Sequence, residues 1–115
     1  MVTARDEPSL LLEATVDGLL ATSAHRHREI IVVDDGSLTP VTIERPHTHV
    51  VRNERALGVA QSRRRGAAIA SGDVLVWLDA HMRFAPDWLD QMMMHADSGA
   101  LLCAAWWDYE LSRPF

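Results

Sequence analysis

Asp79-Ala80-His81 is the triplet in this 115-residue chain whose residue types and spacing suit chemistry most directly. A carboxylate and an imidazole at i and i+2 can offer one oxygen and one nitrogen to a single divalent cation. The imidazole favours Mn²⁺, with Mg²⁺ as the alternative. Taken alone, such a triplet is more often a turn-forming aspartate followed by a solvated histidine than a metal site. A second acidic turn, Asp34-Asp35-Gly36-Ser37, lies upstream. Two acidic turns at one crevice would suit a divalent cation carrying phosphates. Arg63 is either an exposed helix residue or a fixed positive charge for a diphosphate. In the second case, cation and arginine would together stabilise negative charge on a departing diphosphate.

These residues need elements to position them. Residues 74–78 are uniformly apolar, follow Ser71-Gly72-Asp73, and predict a buried strand of a parallel sheet that ends at Asp79. Residues 29–33 predict another, β-branched throughout its Ile-Ile-Val-Val core, ending at Asp34. Ligands bind at the carboxyl ends of strands in open α/β sheets, so Asp35 and Asp79 are expected at one edge. Consecutive side chains at a strand end point apart, so one of Asp34 and Asp35 is expected to serve the turn while the other faces a ligand.

Val2-Thr3 reads as the end of a first strand. Asp6 is expected to cap a helix with Glu7 and Pro8 in its first turn. Leu12, Val16, Leu19 and Leu20 form one face of that helix. A polar linker over residues 23–28 carries His25 and His27, read as solvated. Residues 38–48, with Pro40 and Pro46, form a connection to a short third strand over residues 49–52. After the loop 53–57, residues 58–71 predict a helix whose Arg63, Arg64 and Arg65 cannot share one face. Pro86 is expected to open another helix, with Trp88, Leu89, Met92 and Met93 as its buried stripe and Met92-Met93-Met94 as core filling. Residues 100–105 are a last apolar segment. The order β-α-β-β-α-β-α-β implies an α/β fold, a mostly parallel Rossmann-like sheet with flanking helices, in a single domain without repeats.

Composition narrows the function. Eleven basic residues against sixteen acidic ones, a net charge of −5, argue against nucleic acid as partner. The chain has no lysine, which excludes a Walker-type phosphate loop and Schiff-base chemistry. No segment is apolar for long enough to span a membrane, and the N-terminus carries no signal-peptide pattern. The single Cys103 reads as a buried thiol of a cytoplasmic protein, with membrane association reserved for a longer parent.

Two known patterns place acidic residues this way. A phosphoacceptor receiver domain has an Asp pair after an early strand and a lone Asp after a later one, but it requires a lysine that this chain lacks. The second pattern matches far more of the chain. Glu29-Ile30-Ile31-Val32-Val33-Asp34-Asp35-Gly36-Ser37 resembles the nucleotide-binding signature of family 2 glycosyltransferases with the GT-A fold. Asn53, Gly58, Arg63 and Gly66 fall at the spacing of the N-x(4)-G-x(4)-R-x(2)-G segment of that superfamily. Gly72-Asp73, the apolar strand and Leu78-Asp79 follow in order, and Pro86-Asp87-Trp88-Leu89 resembles the segment beyond. Thr3-Ala4-Arg5-Asp6-Glu7-Pro8 resembles the loop after the first strand, where the base of the nucleotide sits. The commonest family 2 motif ends in a second Asp where this chain has His81. Asp-x-His is the form of the related polypeptide N-acetylgalactosaminyltransferases.

The resemblance implies the nucleotide-binding, N-terminal half of a GT-A domain, a single partial domain over residues 1–115, truncated at both ends. By the same resemblance Asp79 and His81 would hold Mn²⁺, Asp35 would contact uracil, and Arg63 would lie near the nucleotide. Thr3, Arg5, Gly58 and Asp79 would complete the nucleotide site. The implied function is binding of a nucleotide-diphosphate sugar, a UDP-sugar, and transfer of its glycosyl group to an acceptor (glycan, protein, lipid or small molecule). The alternative is a non-catalytic nucleotide-sugar-binding module. No residue is assigned as catalytic base. Trp106 and Trp107 read equally as sugar-site lining and as an aromatic pair of the core. A half-domain would leave a sheet edge and apolar surface that invite self-association or a partner chain.

Overall fold

A computed structural model of the chain describes residues 1–23 and 28–96, together with the backbone of residues 107–108 and 113–114. The expectations for His25, His27, Cys103, Trp106 and the apolar segment 100–105 fall outside the described residues, as does that for the side chain of Trp107.

The sheet is built around β2 (Ile30–Asp34), whose five residues are all buried. A strand covered on both faces tolerates such an unbroken apolar run, and β-branched side chains suit its pleated surface. Its neighbours are β1 (Val2–Ala4) and β3 (Thr48–Arg52), both parallel to it. On the far side of β1 lies β4 (Leu78–Asp79), also parallel, giving the order β3-β2-β1-β4. Every carboxyl end therefore opens on the same edge, and the α/β parallel architecture expected from the sequence is the one observed. A separate antiparallel pair joins β5 (Trp107–Asp108) to β6 (Arg113–Pro114).

The fourth strand is much shorter than its apolar run. Pairing with β1 extends no further back than Met1, whose carbonyl accepts from Leu78 N–H (2.9 Å) and whose amino group donates to the Val76 carbonyl (2.7 Å). Residues 74 and 75 lie beyond the reach of that ladder. Val74 and Trp77 are 47% and 41% exposed. Apolar character without a neighbouring strand does not bury a segment, because backbone groups left unpaired must stay near water.

Two helices cover the sheet. Helix α1 (Ser9–Thr22) buries Leu12, Thr15, Val16 and Leu19, the i, i+3, i+4, i+7 stripe of an amphipathic helix, with Leu20 half-buried. Its N-cap is Pro8, with no side-chain cap, which corrects the expectation for Asp6. Asp6 instead has φ +52, donates its N–H to Ser37 Oγ (2.9 Å) and accepts Leu38 N–H on Oδ1 (2.7 Å). A long-range contact to the β2 turn has taken the carboxylate that a cap would need.

Helix α2 (Val59–Ile69) packs on β2 through Gly66. A Cβ there would sit 3.1 Å from Val33 Cγ2 and 2.2 Å from Met1 Sδ, so glycine lets the helix approach the sheet without displacing either side chain. Helix α3 (Trp88–Met93) is short, starts two residues after Pro86, and buries none of its residues fully. Trp88, Leu89, Met92 and Met93 do form its inner side, half-buried, whereas Met94 is exposed and fills no core. Trp88 Nε1–H donates to Thr22 Oγ1 (2.9 Å), and its ring lies 5.0 Å from that of Phe84, which docks this helix against α1. No helix among the described residues is long and apolar enough to cross a membrane.

Candidate functional site at the carboxyl edge

The parallel register brings four chain segments to one edge: the exit of β1, the turn after β2, the loop 53–58 and the exit of β4. Thr3 is half-buried in β1 and pairs with both Val33 and Asp79, so it marks the middle of the edge. Arg5 leaves β1 into solvent, 3.7 Å from Asp6.

The β2 turn is saturated with hydrogen bonds. Asp34, fully buried, accepts Ser37 N–H on Oδ1 (2.9 Å) and Val41 N–H on Oδ2 (3.1 Å), and its Oδ2 also pairs with Arg52 of β3. Burial pushes the Asp34 carboxyl up, but the bonds from Ser37, Val41 and Arg52 outweigh it and hold its pKa below the ordinary carboxylate value.

Asp35, 5% exposed, turns the other way, toward the loop 53–58. Its Oδ1 accepts from Asn53 Nδ2 and Leu57 N–H, and its Oδ2 from Gly58 N–H, all at 2.8 Å. Burial again raises the pKa, and donors from Leu57, Asn53, Gly58 and Ser62 overcome it, bringing it down to about 2. The two carboxylates do point apart as the sequence indicates. The one expected to face a ligand, however, is committed to organising the loop above it.

That commitment explains the spacing N-x(4)-G-x(4)-R-x(2)-G position by position. Asn53, fully buried, bridges Asp35 and Ser62 Oγ (2.9 Å) with its amide nitrogen and accepts from Arg65 Nη1 (2.6 Å). Gly58 takes φ +88 as it presents its N–H to Asp35, a conformation that costs other residues energy. Gly66 admits α2 to the sheet. Arg63 reaches Asp79, with Nη2 3.4 Å from Oδ1. Arg65 is thus held by Asn53 and Arg64 is left exposed, so the three consecutive arginines do separate.

The β4 exit is built differently. Asp79 and Arg63 are 41% and 40% exposed, and their contact is long. The Arg63 Nε is buried and has no hydrogen-bond partner among the described residues. His81 follows in the next turn, with Nδ1 3.1 Å from Glu7 Oε1. Between them Ala80 is buried, and Thr15 of α1 anchors this turn: its Oγ1 accepts Met82 N–H (2.9 Å) and lies 3.0 Å from the Ala80 carbonyl. Asp79 N–H also meets Met82 Sδ (3.3 Å).

The donor set fits a divalent cation in part. Asp79 keeps a half-exposed carboxylate, and among the described residues His81 is bonded through Nδ1, which leaves Nε2 for a ligand. Among the described residues no group of three or more His, Cys, Asp or Glu gathers for a metal. This edge thus offers two protein donors, and further ligands would have to come from phosphate oxygens or water.

Sequence reading missed Glu7 and Thr15. Thr15 stands in the buried stripe of α1, where a hydroxyl needs a partner, and that was its signal. Glu7 carried none, because its closeness to His81 depends on β1 and β4 being neighbours.

Comparison with known proteins settles the family. The sequence profile described as Glycosyl transferase family 2 matches residues 1–114. The chain belongs to glycosyl transferase family 2. It is 37% identical over 98 residues to polypeptide N-acetylgalactosaminyltransferase 14 of Homo sapiens, covering 81% of this chain and 18% of that protein. Similarity to polypeptide N-acetylgalactosaminyltransferase 16 of Homo sapiens is 36% over the same coverage. A putative polypeptide N-acetylgalactosaminyltransferase 13 of Drosophila melanogaster is 29% identical over 109 residues, 81% of this chain and 20% of that protein. The chain thus spans about a fifth of the length of the curated relatives it matches.

Proposed function

We propose that this chain is the donor-binding part of a glycosyltransferase, taking a nucleotide-diphosphate sugar, a UDP-sugar, at the carboxyl edge of its sheet. The observation that carries the reading is the β4 exit. There Asp79 stands half-exposed beside Arg63, and the exposed His81 follows two residues later, in a chain of this family. Asp79 and His81 would hold the cation, Mn²⁺ before Mg²⁺, which when bound supplies Lewis-acid stabilisation of the diphosphate. Arg63 lies beside Asp79, and its part-exposed guanidinium supports a role toward a phosphate oxygen, the acceptor that a guanidinium fork suits best.

The nucleoside would lie over Thr3 and Arg5 on one side and Gly58 on the other. Asp35 beneath them orders the floor on which the base would rest, through its bonds to Asn53, Leu57 and Gly58. The acceptor, a glycan, protein, lipid or small molecule, would be bound by residues other than those of this edge. The exposed Val74 and Trp77 support burial of this region by a further segment, a partner chain or a second copy.

Calorimetry of UDP binding with and without Mn²⁺, on the wild type and on His81→Ala and Asp79→Ala, tests the reading. Binding that requires Mn²⁺ and disappears in both variants supports it. A folded wild type that does not bind UDP under either condition overturns it.

A further inference from the structure

We propose that Glu7 is a positioning residue for His81, holding its imidazole in the Nδ1–H tautomer so that Nε2 presents its lone pair to a divalent cation. The inference rests on the reading of Asp79 and His81 as the cation-binding pair, and it adds a residue to that site from outside its motif.

The geometry is direct. Glu7 Oε1 lies 3.1 Å from His81 Nδ1. An ionised carboxylate only accepts, so Nδ1 must carry the proton, and a neutral imidazole protonated there has its acceptor at Nε2. The partners differ in exposure: the Glu7 side chain is 17% exposed and that of His81 59%, so the carboxylate is the fixed member and the ring the presented one.

Both backbones are anchored. Next to Glu7, Asp6 is tied to Ser37 and Leu38, and the Pro8 carbonyl accepts the first amides of α1 from Leu11 and Leu12. The turn carrying His81 is clamped through Met82 N–H to the buried Thr15 hydroxyl. A carboxylate on one nitrogen of a ligating imidazole sets ring orientation and raises its basicity, an outer contribution worth roughly 10- to 100-fold in metal affinity. A merely structural surface pair would add little to stability and would leave cation affinity untouched.

The test reads the tautomer and the cation separately, on the full chain. Two-bond ¹⁵N–¹H correlation at pH 8.5, with the His81 resonances assigned by their loss in His81→Asn, reports which nitrogen is protonated in the metal-free protein. Titration with Mn²⁺ alone, free ion read by electron paramagnetic resonance, gives affinity. The expectation is an Nδ1–H pattern in the wild type, a move toward Nε2–H in Glu7→Ala, and Mn²⁺ affinity weaker by roughly 10- to 100-fold in that variant. Glu7→Gln, whose side-chain oxygen can still accept from Nδ1–H, should keep the tautomer and most of the affinity.

An Nε2–H wild type, or a Glu7→Ala protein with unchanged tautomer or unchanged Mn²⁺ affinity, overturns the inference while leaving the cation site standing. Mn²⁺ affinity that is unaltered in both Asp79→Ala and His81→Ala removes the cation site itself, and the donor role of His81 with it.

Discussion

The exits of β2 and β4 both carry an aspartate to the same edge of the sheet, and they spend it in opposite ways. At β2, Asp34 and Asp35 are buried and every carboxylate oxygen accepts a short bond from the turn, the loop 53–58 or β3. At β4, Asp79 is half-exposed, its one charged partner stands 3.4 Å away, and His81 keeps a ring nitrogen open. The first exit is a frame and the second keeps its polar side chains open to solvent. A carboxylate that has satisfied its lone pairs inside the protein has little left for a ligand, whereas one held loosely beside an arginine can exchange that contact for a cation.

Breaking the frame should have the largest effect. Asp35→Ala leaves Leu57 and Gly58 N–H and the Asn53 amide without their acceptor, and is expected to cost roughly 3–5 kcal/mol of stability, the range for breaking a buried charged network. Urea denaturation measures it. A loss below about 1 kcal/mol would mean that the loop 53–58 does not depend on this carboxylate. Asp79→Asn should do the reverse: folding stability within about 1 kcal/mol of wild type, since a half-exposed ion pair contributes little, with Mn²⁺-dependent UDP binding reduced at least ~100-fold, as for loss of a direct metal ligand. Equal losses of stability in the two variants would erase the contrast between the exits.

Smaller effects sharpen it. Gly36→Ala places a Cβ 2.5 Å from the Arg55 carbonyl carbon at φ +71, so about 2 kcal/mol is expected in thermal melts, from strain and clash together. Thr15→Val removes the acceptor of Met82 N–H and should cost roughly 1–2 kcal/mol while weakening Mn²⁺ binding, because the turn that carries His81 loses its anchor. Unchanged cation affinity in that variant would show that the turn holds its shape without α1.

Acid should weaken the frame. The folded pKa of Asp35, about 2, lies below its unfolded value of about 3.9, so its contribution is complete above pH ~4 and is lost as pH falls through that window toward 2. Asp34 shifts in the same direction. The denaturation midpoint should fall steeply between those limits in wild type and less steeply in Asp35→Asn.

Much of this was legible in the residues themselves. The unbroken Ile30 to Val33 run could only be a strand covered on both faces, and the α1 stripe could only be a helix against it. Their alternation with turn residues led to a parallel sheet, and the parallel sheet put Asp35 and Asp79 on one edge. The motif spacing from Asn53 to Gly66 was also visible, though its cause was not. Bonds between Asn53, Asp35, Ser62 and Arg65 join residues up to eighteen positions apart, and no local pattern records them.

Residue type and spacing thus determined the class of fold, the edge where ligands would gather and the triplet suited to a cation. Only the tertiary structure decided how each group there is used. It gave Asp35 to the loop, drew Asp6 from a helix cap to the β2 turn, and brought Glu7 to His81. Each of these follows from which strands lie side by side. A carboxylate's role is set by the donors within about 3 Å of it, and those donors come from distant parts of the chain.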